Sequence, residues 1–209
     1  MIKRLKDKLD KLLDEDEKKI VLMEGLGGGA REPDLRIVGL FAEVVDEKVA
    51  EIVHAMLYMN EMNKLQKDKT KKRDIEFYLS TYGGSADDMF ALYDMMKVIE
   101  QTTDISTIGM GKVMSAGVLI LAGGTKGKRK IGRNCRVMLH SVIAGNQGSL
   151  HSLINEMEAI QALQEMYIDR LVEETKMTKK QLKKMLEQKV NIYLSAEEAV
   201  EYGIADEII

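Results

Sequence analysis

The sequence predicts an α/β fold, because short apolar segments alternate with helical patterns along most of the chain. The apolar segments 35–41, 74–79 and 105–109 have the length and composition of buried strands. After them, apolar residues recur at spacings of three and four, as they do along one face of a helix. We found no internal repeat.

Capping signals and apolar spacing place the elements in order. The helix after the first strand is predicted to start with Asp46 as its N-cap, and a capping box at 195–198 (SAEE) starts the last helix. The other predicted elements are a helix around 89–99, an apolar helix at 114–121, strands at 129–131 and 135–139, and a short helix opened by Thr178.

A long helix is predicted at about 150–174, with one apolar stripe along its length. The stripe consists of Leu150, Leu153, Ile154, Met157, Ile160, Leu163 and Tyr167. The sequence leaves open whether this stripe lies in the core or in a contact between subunits.

Residues 1–34 are predicted to be separate from the domain at 35–209. Leucines 5, 9, 12 and 13 among charged residues predict an amphipathic helix, and the glycine-rich run 25–30 is typical of a connector. A phosphate-binding loop is the alternative, but the Lys-Ser/Thr pair that such a loop needs does not follow the glycines.

Composition excludes several classes of protein. The 209 residues include 31 Lys and Arg against 34 Asp and Glu, a net charge of −3, so no basic face for nucleic acid is expected. Cys135 is the single cysteine, and the three histidines lack metal-ligand spacing, so we expect no disulfide, metal or other cofactor. The longest apolar stretch, 113–122, is too short to cross a bilayer. We therefore expect a cytoplasmic enzyme.

Three turns carry the residue types of acyl-transfer chemistry. Ser115 lies where a strand turns into a helix through glycines, so it is either a nucleophile or an ordinary N-cap. His140 follows the strand 135–139, at the kind of strand end where α/β folds place ligands, so it is either catalytic or a histidine with ordinary loop hydrogen bonds. Gly83 and Gly84 form another strand-to-helix turn, whose backbone N–H can stabilise an oxyanion.

Together these motifs resemble the Clp protease proteolytic subunits, the ClpP family of serine peptidases. The matching segments are 83–85 (GGS), 111–117 (GKVMSAG), 136–140 (RVMLH) and the tail 194–206 (LSAEEAVEYGIAD), and the likeness runs from about Arg36 to Ile209. The resemblance implies a ClpP/crotonase-like fold of repeated β-β-α units, in which the long helix is the "handle".

The resemblance also implies roles for individual residues. Ser115 is the expected nucleophile, His140 the general base and acid, and the N–H groups of Gly84 and Ala116 the oxyanion hole. A strand near 141–145 is expected to pair with extended substrate. The implied partners are further copies of the chain in stacked heptameric rings (a tetradecamer), a Clp-type AAA+ ATPase unfoldase, and peptide or unfolded protein as substrate.

The sequence departs from the family pattern in four places. One is Ala116, which stands where the family commonly has a larger residue but keeps the N–H. Alignment of the tail puts Asn191 where the family usually has the triad aspartate, so we expect Asn191 to orient His140 and activity to be reduced or conditional. Tyr82 stands in place of the usual proline before the glycines. Residues 1–34 do not match the loop that contacts the ATPase.

Two other functions stay open at this point. A non-catalytic or weakly active structural subunit of a mixed Clp ring is the alternative favoured by Asn191, whereas the presence of Ser115 and His140 favours an active enzyme. A crotonase-type acyl-CoA enzyme shares the broad fold, but the serine–histidine pair argues against it.

Overall fold

The computed structural model describes residues 35–68, 70, 72–145, 147–188 and 191–209. Within them, Arg36–Ile209 form one compact unit. The predicted amphipathic helix and connector of residues 1–34 lie outside the described residues, so the division at 34/35 remains a prediction. None of the described helices combines the length and apolar character that a bilayer span requires.

Seven strands and six helices are described. In chain order they are β1 (Ile37–Leu40), α1 (Asp46–Leu65), β2 (Ile75–Thr81), α2 (Ala86–Glu100), β3 (Ile105–Met114), α3 (Ala116–Ala122), β4 (Lys130–Ile131), β5 (Arg136–Leu139), α4 (Leu150–Glu174), α5 (Lys179–Glu187), β6 (Ile192–Leu194), α6 (Ala196–Glu201) and β7 (Glu207–Ile208).

The strands form one mixed sheet in which β3 is the branch point. The main path runs β1-β2-β3-β4-β7 with parallel neighbours, and β5 pairs with β3 while β6 runs antiparallel to β5. The first half of β3 pairs with β4 and its second half with β5. Parallel strands need crossover connections, which the intervening helices supply. The predicted α/β class is confirmed.

The long helix has the predicted bounds, and its environment changes along its length. Its C-terminal part buries Tyr167, Ile168 and Leu171 against the core, whereas Leu150 and Met157 are 71% and 61% exposed. The apolar stripe therefore belongs to the core only at its C-terminal end. The predicted capping box at Ser195 is present, and Thr178, predicted to open a helix, forms a capping box as well.

Several predicted boundaries are wrong. The strand predicted at 105–109 continues to Met114, because Gly111 adopts φ 66° and lets the chain bend without leaving the sheet. The small-residue helix consequently begins at Ala116, not at Met114. Asp46 is the first residue of α1 and not its cap; the cap position is Val45, which has no side-chain oxygen to offer. Strands β6 and β7 were not predicted.

Arg129 joins three distant parts of the domain. Its buried guanidinium donates hydrogen bonds to both carboxylate oxygens of Asp206 and to the carbonyls of Ala122 and Glu174. The ends of α3 and α4 and the C-terminal turn are thereby held together. The aspartate of the tail motif thus has a structural partner.

Candidate active site

Three chain segments with candidate residues meet at one edge of the sheet. β3 and β5 are parallel with Met114 opposite Met138, so Ser115 and His140 both lie just beyond the carboxyl ends of adjacent strands. β2, which also pairs with β3, ends at Thr81 shortly before Gly84. The sheet therefore brings the predicted nucleophile, base and one oxyanion donor to the edge where ligands of parallel sheets bind.

Ser115 has a backbone conformation that few residues adopt. Among the described residues it is the only non-glycine with a positive φ, at φ 53° and ψ −121°. Although it occupies the N-cap position of α3, its side chain makes no capping hydrogen bond. Strained conformations of this kind cluster at active sites. The capping interpretation of Ser115 is therefore not supported, and its hydroxyl remains available for chemistry.

Gly83 and Gly84 have no room for a side chain. A Cβ on Gly83 would lie 2.6 Å from the Cβ of Ser115, and one on Gly84 would overlap the backbone of Val44. Both glycines have positive φ, at 103° and 153°. Glycine at these positions lets the turn after β2 approach Ser115 closely.

The N–H of Gly84 is directed away from its neighbouring strand segment. Val44 donates its N–H to the carbonyl of Gly83 and accepts the N–H of Ser85. Because successive backbone groups of an extended chain point to opposite sides, the N–H of Gly84 points away from Val44. No described residue accepts a hydrogen bond from this N–H, so it can donate to a ligand.

Ala116 supplies a second N–H of the same kind. As the first residue of α3, its N–H has no acceptor one turn earlier in the helix. No described residue accepts a hydrogen bond from this N–H either. The N–H groups of Gly84 and Ala116 are thus able to stabilise a negatively charged oxygen in the same cleft as Ser115.

His140 is held by the residue that follows it. Its Nδ1 lies 2.5 Å from the carbonyl oxygen of Ser141. A carbonyl can only accept, so Nδ1 carries the proton and donates it to this hydrogen bond. In the neutral imidazole, Nε2 is then the nitrogen able to accept a proton from a nucleophile.

One cleft of about 350 Å³ contains all of these groups. It is lined by Tyr82, Gly84, Ser85, Ala86, Met89, Phe90, Ser115, Ala116, His140, Val142, Ile143, Leu163 and Tyr167. Most of the larger side chains are apolar, so the cleft favours an uncharged substrate side chain near Ser115.

A comparison with protein-family models matches residues 33–209 to the Clp protease family, which is most of the chain. The chain belongs to the Clp protease family. It is therefore a peptidase, an enzyme of the hydrolase class, and the expected fold and resemblance are confirmed.

Asn191 lies beside His140 in this Clp protease chain but does not bind it. In the antiparallel pair of β5 and β6, Leu139 is opposite Ile192, so the register places Asn191 next to His140. Asn191 is exposed and does not line the cleft. Within the described part of the chain, no hydrogen bond joins its amide to the imidazole. Its role as the third catalytic residue remains a prediction.

Tyr167 is a residue of the Clp protease site that the sequence analysis missed. It was assigned to the apolar stripe of α4, yet its hydroxyl donates a hydrogen bond of 3.1 Å to the carbonyl oxygen of Ser115. A buried tyrosine hydroxyl normally has a hydrogen-bond partner, so a tyrosine in an apolar stripe indicates a buried polar contact. No feature of the sequence indicates which group this hydroxyl binds.

The segment expected to pair with substrate is not a strand in the free Clp protease chain. Residues 141–145 form no ladder with the described residues. The N–H of Val142 instead donates 2.7 Å to the side-chain oxygen of Gln164 on α4. Beyond that contact the segment runs along the cleft, where Ile143 is 80% exposed.

Proposed function

We propose that this chain is a serine endopeptidase subunit of a self-compartmentalised ring protease. Ser115 is the nucleophile, His140 the general base and acid, and the N–H groups of Gly84 and Ala116 form the oxyanion hole. The observation that carries the proposal is the conformation of Ser115. It is a strained serine that makes no capping hydrogen bond, and it shares one cleft with a histidine and with two N–H groups that have no acceptor among the described residues.

The reaction follows from these positions. Oγ of Ser115 attacks the peptide carbonyl while Nε2 of His140 takes the hydroxyl proton. The carbonyl oxygen becomes an oxyanion and accepts hydrogen bonds from Gly84 and Ala116. The C–N bond then breaks, and the imidazolium returns its proton to the leaving amine. Water hydrolyses the acyl-serine by the same steps, releasing the carboxylic acid and restoring Ser115.

Two groups compete to orient His140. The Ser141 carbonyl is in contact with Nδ1, whereas Asn191 lies beside the histidine in the sheet register. We propose that Asn191 is the third member of the site, in which its amide oxygen accepts the Nδ1 proton. An amide cannot offer the imidazolium the full negative charge of an aspartate, so the proposed enzyme has reduced or conditional activity.

We further propose that the exposed half of α4 is the contact between stacked heptameric rings. Leu150, Ile154 and Met157 expose 71%, 46% and 61% of their area, an apolar surface that the single chain leaves in water. The described residues that line the cleft have no charged side chains that would make it selective. A closed chamber would instead protect folded proteins, because they could not reach the cleft. Substrates are then short peptides, or polypeptide delivered by a Clp-type AAA+ ATPase in the cytoplasm.

Asn191 favours a second candidate function, a non-catalytic or weakly active subunit of a mixed ring. Both candidates predict assembly, but a non-catalytic subunit predicts no reactive serine. Labelling of the assembled chain with a fluorophosphonate separates them. We expect labelling that disappears in Ser115→Ala, together with hydrolysis of an apolar fluorogenic peptide. An assembled ring that takes no label would support the structural subunit.

A further inference from the structure

We propose that Tyr167 is a positioning residue that aims the oxyanion hole. By holding the carbonyl of Ser115, it fixes the direction in which the N–H of Ala116 points. This inference rests on the proposed serine-peptidase function, and it assigns a supporting role to a residue of α4.

The carbonyl group of Ser115 accepts two hydrogen bonds. Its oxygen accepts the Tyr167 hydroxyl at 3.1 Å and the N–H of Val118 at 3.0 Å. A carbonyl oxygen has two lone pairs, so both are occupied. The Tyr167 side chain is 5% exposed, and burial raises the pKa of its hydroxyl above the ordinary value, which keeps it a neutral donor.

Peptide geometry connects this carbonyl to the oxyanion hole. The carbonyl of Ser115 and the N–H of Ala116 belong to the same planar trans peptide, in which the two groups point in opposite directions. A hydrogen bond that holds the carbonyl toward Tyr167 therefore holds the N–H away from it. Ser115 and Ala116 line the cleft together with His140. The hydrogen bond from Tyr167 thereby keeps the N–H of Ala116 directed toward the substrate carbonyl that reacts.

The conformation of Ser115 makes such a restraint necessary. Its φ of 53° and ψ of −121° are sparsely populated, and rotation of the following peptide is the simplest way to relieve the strain. That rotation would turn the N–H of Ala116 out of the site. Val118 resists it from within the first turn of α3, and Tyr167 resists it from a different helix.

The test compares Tyr167→Phe with Tyr93→Phe. Each substitution removes one buried tyrosine hydroxyl that donates a hydrogen bond, since Tyr93 donates 2.7 Å to Glu174. Tyr93 is equally buried, at 4% exposed, but lies outside the cleft. Tyr93→Phe thus controls for the loss of stability without touching the Ser115 peptide.

We expect Tyr167→Phe to lower kcat about 10-fold with KM unchanged, and to weaken inhibition by a peptide aldehyde in proportion. The aldehyde forms a tetrahedral adduct with the serine whose oxygen occupies the same hole. Removal of a whole donor costs about 10²–10³-fold in kcat, and here the donor remains but is less well aimed. Tyr93→Phe should change neither quantity.

Two results would overturn the inference. One is a Tyr167→Phe enzyme with wild-type kcat, and the other is an equal loss in both variants. If the Phe variant is too unstable to assay, Tyr167→Met removes the same hydroxyl with a different shape and must show the same split between kcat and KM. An inactive, unlabelled wild-type chain would instead refute the proposed function itself.

Discussion

Asn191→Asp tests the proposed third catalytic residue. It restores a carboxylate at the position beside His140 in the register of β5 and β6. When His140 takes the proton of Ser115 it becomes a cation, so a negative charge nearby stabilises the transition state more than the neutral ground state. We therefore expect the substitution to raise peptidase activity.

The exposure of Asn191 limits the size of the gain. Two unit charges about 4 Å apart attract by about 1 kcal/mol in water and by about 4 kcal/mol at the surface of a protein. Asn191 is exposed, which places the interaction toward the lower of these values, at about 1–2 kcal/mol. Since about 1.4 kcal/mol is tenfold in rate, kcat/KM should rise about 5-fold to 30-fold.

The assay is hydrolysis of a fluorogenic peptide by the assembled enzyme at neutral pH. Asn134→Asp is the matched control, because it makes the same chemical change at an exposed turn before β5 and outside the cleft. Asn191→Ala completes the series and should lower activity. If Asn191→Asp leaves activity unchanged or lower, Asn191 is not the orienting residue. An unchanged Asn191→Ala would then assign orientation of His140 to the Ser141 carbonyl.

Three further predictions concern geometry, assembly and pH. Gly83→Ala puts a Cβ 2.6 Å from that of Ser115 at a φ of 103°, so peptide hydrolysis should fall about 100-fold or more; near-normal hydrolysis would refute the close approach. Met157→Glu should shift sedimentation toward smaller assemblies, and an unchanged mass would exclude this face as a ring contact. Burial opposes ionisation of Asp206, but Arg129 holds its pKa below the ordinary value. The free energy of unfolding, measured by urea titration, should therefore be constant near neutral pH and decrease as the pH is lowered past about 4. This decrease should be smaller in Asp206→Asn. Equal pH dependence in both proteins would contradict this.

Periodicity was sufficient to predict most of the fold. The 25 residues of α4 carry several turns of one pattern, so both of its ends were predicted correctly. β6 and β7, which were not predicted, have three and two residues, so alternation cannot identify them; β4 is as short as β7 but was predicted as part of a strand at 129–131. β3 was cut short because glycines usually end a strand, whereas Gly111 here only bends it.

The site was predictable where it depends on chain order and not where it depends on side-chain contacts. Ser115 and His140 each follow a predicted strand, and parallel strands bring their carboxyl ends together. The contact between Tyr167 and the Ser115 carbonyl joins residues that are 52 positions apart, and no local sequence pattern predicts it. The Nδ1 contact of His140 with the next carbonyl likewise depends on the local path of the chain, which spacing does not reveal.

The conformation of Ser115 depends on several elements at once. Its N–H donates 2.8 Å to Met138 on β5, its carbonyl is bound from α3 and α4, and Gly83 packs against its Cβ. A residue in a sparsely populated conformation costs about 1–3 kcal/mol and persists only where its surroundings over-determine it. The proposed nucleophile and the peptide that carries the proposed Ala116 donor both depend on that one residue. We therefore expect a change that loosens α4 to lower catalysis, because α4 supplies one of the contacts that hold Ser115 in this conformation.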